Sequence, residues 1–178
     1  EGATNVNFVG GVPDVSLRFV LQTLTYCPPD THVVWNTNLW TTEAAVAHLS
    51  GVVGTWLADF KFGHDGCAAA LAGVRGYRAR LERLLPLASD SGRLIVRHLL
   101  MPGHLDCCTR PVLSWMADHL PDTPLNLMTG YRPYRLAGAG SPMGRAPDAE
   151  TLNRAIALLE NAGLTTPLLD GVEYEAAG

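Results

Sequence analysis

The chain has 178 residues, of which 47% are hydrophobic and 17% charged, with a formal net charge of -4. This length suffices for one domain with a sizeable core, and the hydrophobic fraction argues against disorder. The acidic balance and the lack of a basic run argue against duplex nucleic acid as a partner. The sequence has no run of about eighteen apolar residues, so it predicts no membrane span.

Five segments of the chain are predicted strands, and each is followed by a helical pattern. In order they are Asn5–Val9, His32–Trp35, Thr55–Ala58, Arg93–Met101 and Leu125–Met128. Alternating strands and helices predict parallel pairing with right-handed crossovers. Five strands are too few for a closed eight-stranded barrel, so we predict an α/β fold of the partial parallel (β/α) barrel type. The carboxyl ends of the strands would then share one edge, where ligands of such folds bind.

Capping and breaking residues mark the helix ends between these strands. Asp14 and Asp148 each precede a helical pattern, so we expect their side chains to cap it. Gly73 and Gly76 interrupt the helical region after the third strand and are expected to divide it in two. Pro111 falls in the first turn of the helix after the fourth strand, where a missing N–H costs least.

The four cysteines are Cys27, Cys67, Cys107 and Cys108, and no secreted disulfide framework is visible. Reduced thiols in a cytoplasmic protein are the simpler interpretation. His104, Cys107 and Cys108 bring metal-binding residue types close together, but a zinc site would want a second pair at similar spacing, and Cys27 and Cys67 are isolated. We therefore expect a loop with buried thiols at this position and no metal ligand in the chain.

The ends of the first and third strands carry the first candidate ligand-binding residues. Gly10 and Gly11 allow the backbone to approach a ligand closely, although a tight strand-to-helix turn would use them equally well. Asp59 and Lys61 point to the same side of the third strand end. Lys61 can bind a ligand carboxylate, and the alternatives are a surface ion pair worth about 0–1 kcal/mol or a Schiff base.

The second and fourth strands end in further polar residues. Asn36 and Asn38 share a face, where their amides can bind a polar ligand or cap the next helix. Arg97 and His98 take opposite faces of the fourth strand, so one is expected to point into the barrel and the other away from it. A lone strand histidine is more often structural, and a buried arginine would need a carboxylate partner.

In order, these strand ends resemble those of the radical S-adenosylmethionine (SAM) enzymes, and in particular of proteins related to pyruvate formate-lyase activating enzyme. The resemblance covers about residues 5 to 135 and rests on five segments in the family's order: Asn7-Phe8-Val9-Gly10-Gly11-Val12-Pro13, Val34-Trp35-Asn36-Thr37-Asn38, Asp59-Phe60-Lys61-Phe62-Gly63, Val96-Arg97-His98-Leu99-Leu100-Met101-Pro102-Gly103 and Asn126-Leu127-Met128-Thr129-Gly130-Tyr131-Arg132-Pro133.

The resemblance implies a partial (β/α)6 barrel whose strand ends position SAM without doing proton chemistry, so no catalytic residue is expected in this chain. It assigns contacts with SAM to eight residues: Gly10 and Gly11 at the amino group, Asn36 and Asn38 along the methionine and ribose, Lys61 at the carboxylate with Asp59 beside it, Arg97 before the Pro-Gly pair, and Tyr131 near the adenine. Val12 stands where the family has an acid, which could remove a charge-assisted hydrogen bond.

The family's cluster motif, Cys-x-x-x-Cys-x-x-Cys, is missing from the sequence. We therefore expect a part of a radical SAM protein that lacks the first strand and the cluster loop, with residues 1–166 as one domain and 167–178 as a tail. The intact parent would use a [4Fe–4S] cluster to cleave SAM to a deoxyadenosyl radical and would act on a glycine of a partner enzyme or on a small molecule. Whether this chain is an enzyme by itself stays open. The alternatives are a cluster-free barrel that binds SAM or another small ligand, and a non-catalytic interaction domain.

Overall fold

A computed structural model describes residues 3–9, 13–134 and 140–174. Gly10, Gly11 and Val12 therefore lie outside the described residues, and the prediction that Gly10 and Gly11 bind SAM stays a prediction. The chain forms two compact units, and each is described by itself. The first unit comprises residues 1–59 and 79–95, and the second comprises residues 60–78 and 96–178.

The described residues alternate strands and helices along the chain, as the sequence predicted. The strands are β1 (Asn5–Phe8), β2 (His32–Thr37), β3 (Thr55–Asp59), β4 (Arg93–Leu99), β5 (Leu125–Met128), β6 (Pro167–Leu169) and β7 (Val172–Glu173). The α-helices are α1 (Leu17–Leu24), α2 (Glu43–Leu49), α3 (Asp65–Ala72), α4 (Tyr77–Ser91), α5 (Arg110–His119) and α6 (Ala149–Glu160). The first five strands are the predicted ones, with ends that differ by two residues at most, and Gly73 ends α3 in the left-handed conformation with φ 69°.

The first unit is built on three parallel strands in the order β1, β2, β3. Phe8 pairs with Trp35, and Trp35 pairs with Trp56, so the three aromatic residues form a row across the strands. The backbone N–H of Arg93, at the start of β4, donates to the carbonyl of Gly54 at 3.2 Å. This parallel register brings the carboxyl ends of β2 and β3 to one edge of the unit.

Asp14 does not cap α1, contrary to the sequence prediction. A 3₁₀ turn at Pro13–Ser16 precedes the helix, and the Asp14 carboxylate instead accepts hydrogen bonds from the Trp35 indole at 3.2 Å and from the Thr37 hydroxyl. The tertiary bonds replace the local cap because the turn points this carboxylate at β2. In contrast, Asp148 accepts from the Thr151 N–H at 2.9 Å and caps α6 as predicted.

The second unit continues with β5 between β4 and β6, all parallel, and ends with β7 antiparallel to β6. The sequence predicts a tail over residues 167–178, but the short apolar segment Pro167–Leu169 pairs with β5. Two hydrogen bonds stabilise this pairing. The Asp170 carboxylate accepts from the N–H of Thr129 at 2.7 Å, and the side-chain amide oxygen of Asn126 accepts from the N–H of Gly171 at 2.9 Å.

Side chains alternate between a buried and a half-buried face along β2, β4 and β5. In the first unit the buried face packs on helices, and the Trp56 indole donates to the Ser91 hydroxyl at 3.0 Å. In the second unit the rings of Phe60 and Trp115 meet edge to face at 5.6 Å between centroids. The half-buried face of β2 carries Asn36, and that of β4 carries Arg97. The predicted ligand-binding residues of these two strands therefore lie on the less buried face.

Candidate functional site

The first unit brings three of the predicted SAM-binding residues to the same edge. Asn36 lies in β2 on the half-buried face, and Asn38 follows the end of the strand. Asp59 is the last residue of β3 and is only 8% exposed. Thr37 of β2 pairs with Ala58 of β3. Asn38 follows Thr37 and Asp59 follows Ala58, so these two residues come directly after a paired position. The side-chain Oδ1 of Asn38 accepts from the N–H of Trp40 at 2.9 Å, but the helix that follows, α2, is capped by Thr42, whose hydroxyl accepts from the N–H of Ala45 at 3.2 Å.

In the second unit, Lys61 lies on a segment held on both sides by hydrogen bonds. The N–H of Phe60 donates to the carbonyl of Arg97, a residue of β4, at 2.9 Å. The N–H of Lys61 donates to the Tyr77 hydroxyl at 2.9 Å. Arg97 is half-buried and pairs in register with Asn126 of β5. The structure thus brings Lys61 and the end of β4 into the same part of this unit.

His98 occupies the face of β4 opposite to Arg97, as the alternation of the strand predicted. Its side chain is fully buried, with Nδ1 2.7 Å from the Phe60 carbonyl and Nε2 3.0 Å from the Thr109 hydroxyl. Burial lowers the pKa of His98 to about 4, although the Phe60 hydrogen bond acts in the opposite direction. His98 is therefore a neutral, hydrogen-bonded core histidine, which agrees with the structural interpretation of its sequence position.

Tyr131, the residue that the resemblance places near adenine, lies shortly after β5 in the second unit. Its side chain is half-buried, and its hydroxyl donates to the carbonyl of Met143 at 2.8 Å. Met143 belongs to a short 3₁₀ turn, Pro142–Gly144. The hydrogen bond fixes the hydroxyl end of the tyrosine ring against this turn.

The second unit also assembles a group of side chains that the sequence analysis did not connect. Cys67, His104, Cys107 and Cys108 each offer one ligand atom, and these four atoms all lie within 4.8 Å of one another. We call this group the Cys/His cluster. Cys67 is not isolated, contrary to the sequence analysis, because α3 carries it to the turn that holds the other three residues. No local spacing could reveal this, since the partners of Cys67 come from a different strand–helix connection.

Two thiols of the Cys/His cluster, those of Cys107 and Cys108, have pKa values above the ordinary value of a cysteine. Burial raises the pKa of Cys108 to about 12, while a backbone hydrogen bond with Gly63 acts against this shift. The pKa of Cys107 is also raised, first by burial and then by a hydrogen bond with Cys67. Burial lowers the pKa of His104. The shifts all favour neutral side chains, as expected for groups withdrawn from water.

Asp106 stands within the same turn as the cluster but points elsewhere. Its carboxylate is exposed, and it contacts Arg110 at 3.1 Å and Arg154 of α6 at 3.2 Å. The hydrogen bond with Arg110, together with the charge of Arg154, lowers the pKa of Asp106. This carboxylate therefore joins the turn to α5 and α6 and is not part of the ligand set.

Comparisons with known proteins give one curated relative and one solved structure of particular interest. The chain is 38% identical over 160 residues to a Methanocaldococcus jannaschii protein named as uncharacterized protein MJ0674, which accounts for 90% of this chain and 47% of the relative. The chain thus spans about half the length of this relative. No protein-family model matches the chain.

The solved structure is a domain of pyruvate-formate lyase-activating enzyme from Bacteroides vulgatus ATCC 8482. It superimposes with a TM-score of 0.70 and 20% sequence identity, covering 94% of this chain and 99% of the other. At this identity the likeness shows a shared fold. It therefore confirms the α/β fold class that the sequence predicted. Among the described residues, no helix has the length and apolar character needed to cross a bilayer.

Proposed function

We propose that this chain is the SAM-binding part of a radical SAM protein. The observation that carries the proposal is the pattern of half-buried polar side chains at the carboxyl ends of parallel strands: Asn36 in the first unit and Arg97 in the second. Ligands of parallel α/β folds bind at these strand ends. The fold shared with a domain of pyruvate-formate lyase-activating enzyme supports the same function.

The first unit would supply amide and carboxylate groups to SAM. Each asparagine amide offers a donor and an acceptor, so Asn36 and Asn38 suit the hydroxyl and amino groups of the methionine and ribose. Asp59 is largely buried at the end of β3. The role proposed for it, as the resemblance implies, is to orient Lys61 or to help hold a nearby cation. Gly10 and Gly11 would bind the amino group of SAM through their backbone.

The second unit would supply the cationic and aromatic groups. Lys61 would pair with the SAM carboxylate, and its backbone is held by the hydroxyl of Tyr77, which is itself only 5% exposed. Such anchoring reduces the backbone entropy lost when this segment orders on a ligand. Arg97 would contribute a second cation, and Tyr131 would stack on or border the adenine.

The residues of this chain do not fit the [4Fe–4S] cluster of the family. Its cysteines are Cys27, Cys67, Cys107 and Cys108, and no three of them have the Cys-x-x-x-Cys-x-x-Cys spacing. Bound to cysteines elsewhere in a whole protein, such a cluster would supply the electron for SAM cleavage. The wider proposal for that protein is hydrogen abstraction from a partner glycine or a small molecule. The role proposed for the present residues is limited to binding and orienting SAM.

Isothermal titration of the 178-residue chain with SAM tests the proposal. We expect weak but measurable binding, and we expect Lys61→Ala to weaken it about 10- to 100-fold, because it removes a charge-assisted hydrogen bond worth about 1.5–3 kcal/mol. The matched control is Arg83→Ala, which removes one positive charge from an exposed pair with Glu43. The proposal fails if SAM gives no binding heat with the native chain, or if Lys61→Ala and Arg83→Ala bind equally well.

A further inference from the structure

We propose that the Cys/His cluster, formed by Cys67, His104, Cys107 and Cys108, binds a single tetrahedral metal ion of the zinc class. The four ligand atoms come from one compact unit, the second, and all lie within 4.8 Å of one another. Three of the residues are half-buried and Cys108 is buried. A set of three thiols and one imidazole is one of the ligand sets of structural zinc sites.

The distances between the ligand atoms are close to those that one zinc ion requires. With Zn–S near 2.3 Å and Zn–N near 2.05 Å, tetrahedral geometry places two sulfurs about 3.8 Å apart and a sulfur and a nitrogen about 3.6 Å apart. The Nδ1 atom of His104 lies 3.3 Å from the sulfur of Cys107 and 4.0 Å from the sulfur of Cys108. These two values bracket the expected one, so the imidazole of His104 and the adjacent thiols of Cys107 and Cys108 are spaced for a single ion, and the sulfur of Cys67 also lies within 4.8 Å of them.

A π-helical turn, Leu105–Thr109, makes this arrangement possible. The N–H groups of Cys108 and Thr109 both donate to the His104 carbonyl, at 2.9 Å and 3.2 Å. The widened turn lets the two adjacent cysteine sulfurs approach the same imidazole nitrogen. Single π turns of this kind occur frequently at functional sites.

The fourth ligand, Cys67, is held against this turn by the packing of the segment before α3. A Cβ atom on Gly63 would lie 2.5 Å from the carbonyl oxygen of Cys108, so only glycine allows this approach. His64 then caps α3 by accepting from the N–H of Gly66 at 3.0 Å. The close backbone contact and the cap fix where α3 begins, and therefore where Cys67 points.

The ligand chemistry selects the class of metal. Three thiolates and an imidazole favour zinc or another borderline-soft ion and disfavour magnesium and calcium, which prefer oxygen. A [4Fe–4S] cluster would bind each thiolate to a different iron and hold the sulfurs further apart than the atoms of this group. Four protein ligands also complete a tetrahedron without an open position, which is typical of a structural site. The ion would join the segment that follows Lys61 to the connection that follows β4.

Cobalt titration of the reduced, chelator-treated chain tests this proposal directly, without any substitution. We expect one equivalent of Co²⁺ to give the intense visible d–d bands of tetrahedral cobalt, together with near-ultraviolet charge transfer from thiolate to cobalt. One equivalent of Zn²⁺ should then abolish both signals. Absence of these bands, or weak bands typical of octahedral cobalt, overturns the proposal.

Two matched cysteine substitutions identify the ligands. Cys67→Ser removes one proposed ligand with little change in size. Loss of a residue that only hydrogen-bonds to a metal ligand lowers metal affinity about 10- to 100-fold, so we expect loss of a ligand itself to weaken zinc binding by more than about 100-fold. Cys27→Ser is the control, because Cys27 belongs to the first unit and is not part of the cluster. Equal affinities for the two variants would show adventitious binding and overturn the assignment. If Cys67→Ser does not fold by circular dichroism, the cobalt spectrum of the native chain decides.

Discussion

His98 links the stability of this chain to pH, because its neutral form is built into the core of the second unit. Both ring nitrogens are engaged: Nδ1–H donates to the Phe60 carbonyl at 2.7 Å, and Nε2 accepts from the Thr109 hydroxyl at 3.0 Å, in the tautomer that this environment assigns. Burial lowers the pKa of His98 from 6.5 to about 4. A second proton would have to be placed on Nε2, so the Thr109 hydroxyl would have to turn from donor to acceptor inside the core.

The sign and size of the effect follow from linkage. Between pH 6.5 and about 4 the unfolded chain binds one more proton than the folded chain, so the stability contributed by His98 is complete above pH 6.5 and is lost as the pH falls towards 4. One pKa unit corresponds to 1.36 kcal/mol, which gives a total of about 3 kcal/mol, of which about 2 kcal/mol is lost between about pH 7 and about pH 5.

Urea unfolding at these two pH values, with chelator present so that no bound metal contributes, measures this loss. His98→Asn removes the titration but keeps a donor towards Phe60, and His48→Asn controls for the loss of an exposed histidine of α2. Native chain and His48→Asn should each lose about 2 kcal/mol more than His98→Asn between about pH 7 and about pH 5. The same pH dependence in all three proteins would refute the reasoning, whatever the absolute stability of each variant.

Two further predictions concern local geometry. Gly63→Ala should destabilise the chain by about 1–3 kcal/mol in urea unfolding, because the new Cβ meets the backbone of Cys108. Gly130→Ala is the control, since the space around Gly130 is open, and it should change stability by less than about 0.5 kcal/mol. Similar values for the two variants would contradict the close contact at Gly63. Asp148→Ala should speed hydrogen exchange of the Thr151 amide, which the carboxylate holds at 2.9 Å, while Asp148→Asn should keep most of the protection; unchanged exchange in the alanine variant would mean that the cap contributes nothing.

The strands were predictable because parallel strands that are covered on both sides form short apolar runs. Their ends were less so: β2 continues through Asn36 and Thr37, two polar residues that an apolar run does not include. Thr37 belongs to the strand because it pairs with Ala58 and because its hydroxyl bonds to Asp14. The same tertiary bond explains why Asp14 is not a helix cap. In both cases a partner more than twenty residues away overrides a local preference.

β6 and Cys67 were missed for a related reason. Pro167–Leu169 has no strong alternation, and it becomes a strand because β5 offers an open edge and Asp170 bonds to Thr129. Cys67 has no local partner, and its role depends on the contact between Gly63 and the turn at Cys108. Local sequence patterns therefore identified the elements and most candidate residues, while pairings made by short or isolated segments required the coordinates.

The two proposed sites differ in what a bound group could do, and this separates their tests. An ion in the Cys/His cluster would have its tetrahedral positions filled by four side chains, whereas a metal that acts on a substrate keeps a position open. Zinc binding would therefore support a structural role for the Cys/His cluster. It would provide no evidence for or against radical SAM chemistry. Conversely, Lys61 is not one of the four ligands, so a failure of SAM binding would not count against the metal site. A chain that binds zinc but not SAM would keep only the metal-site proposal, and a chain that binds SAM but not zinc would keep only the proposal of SAM binding.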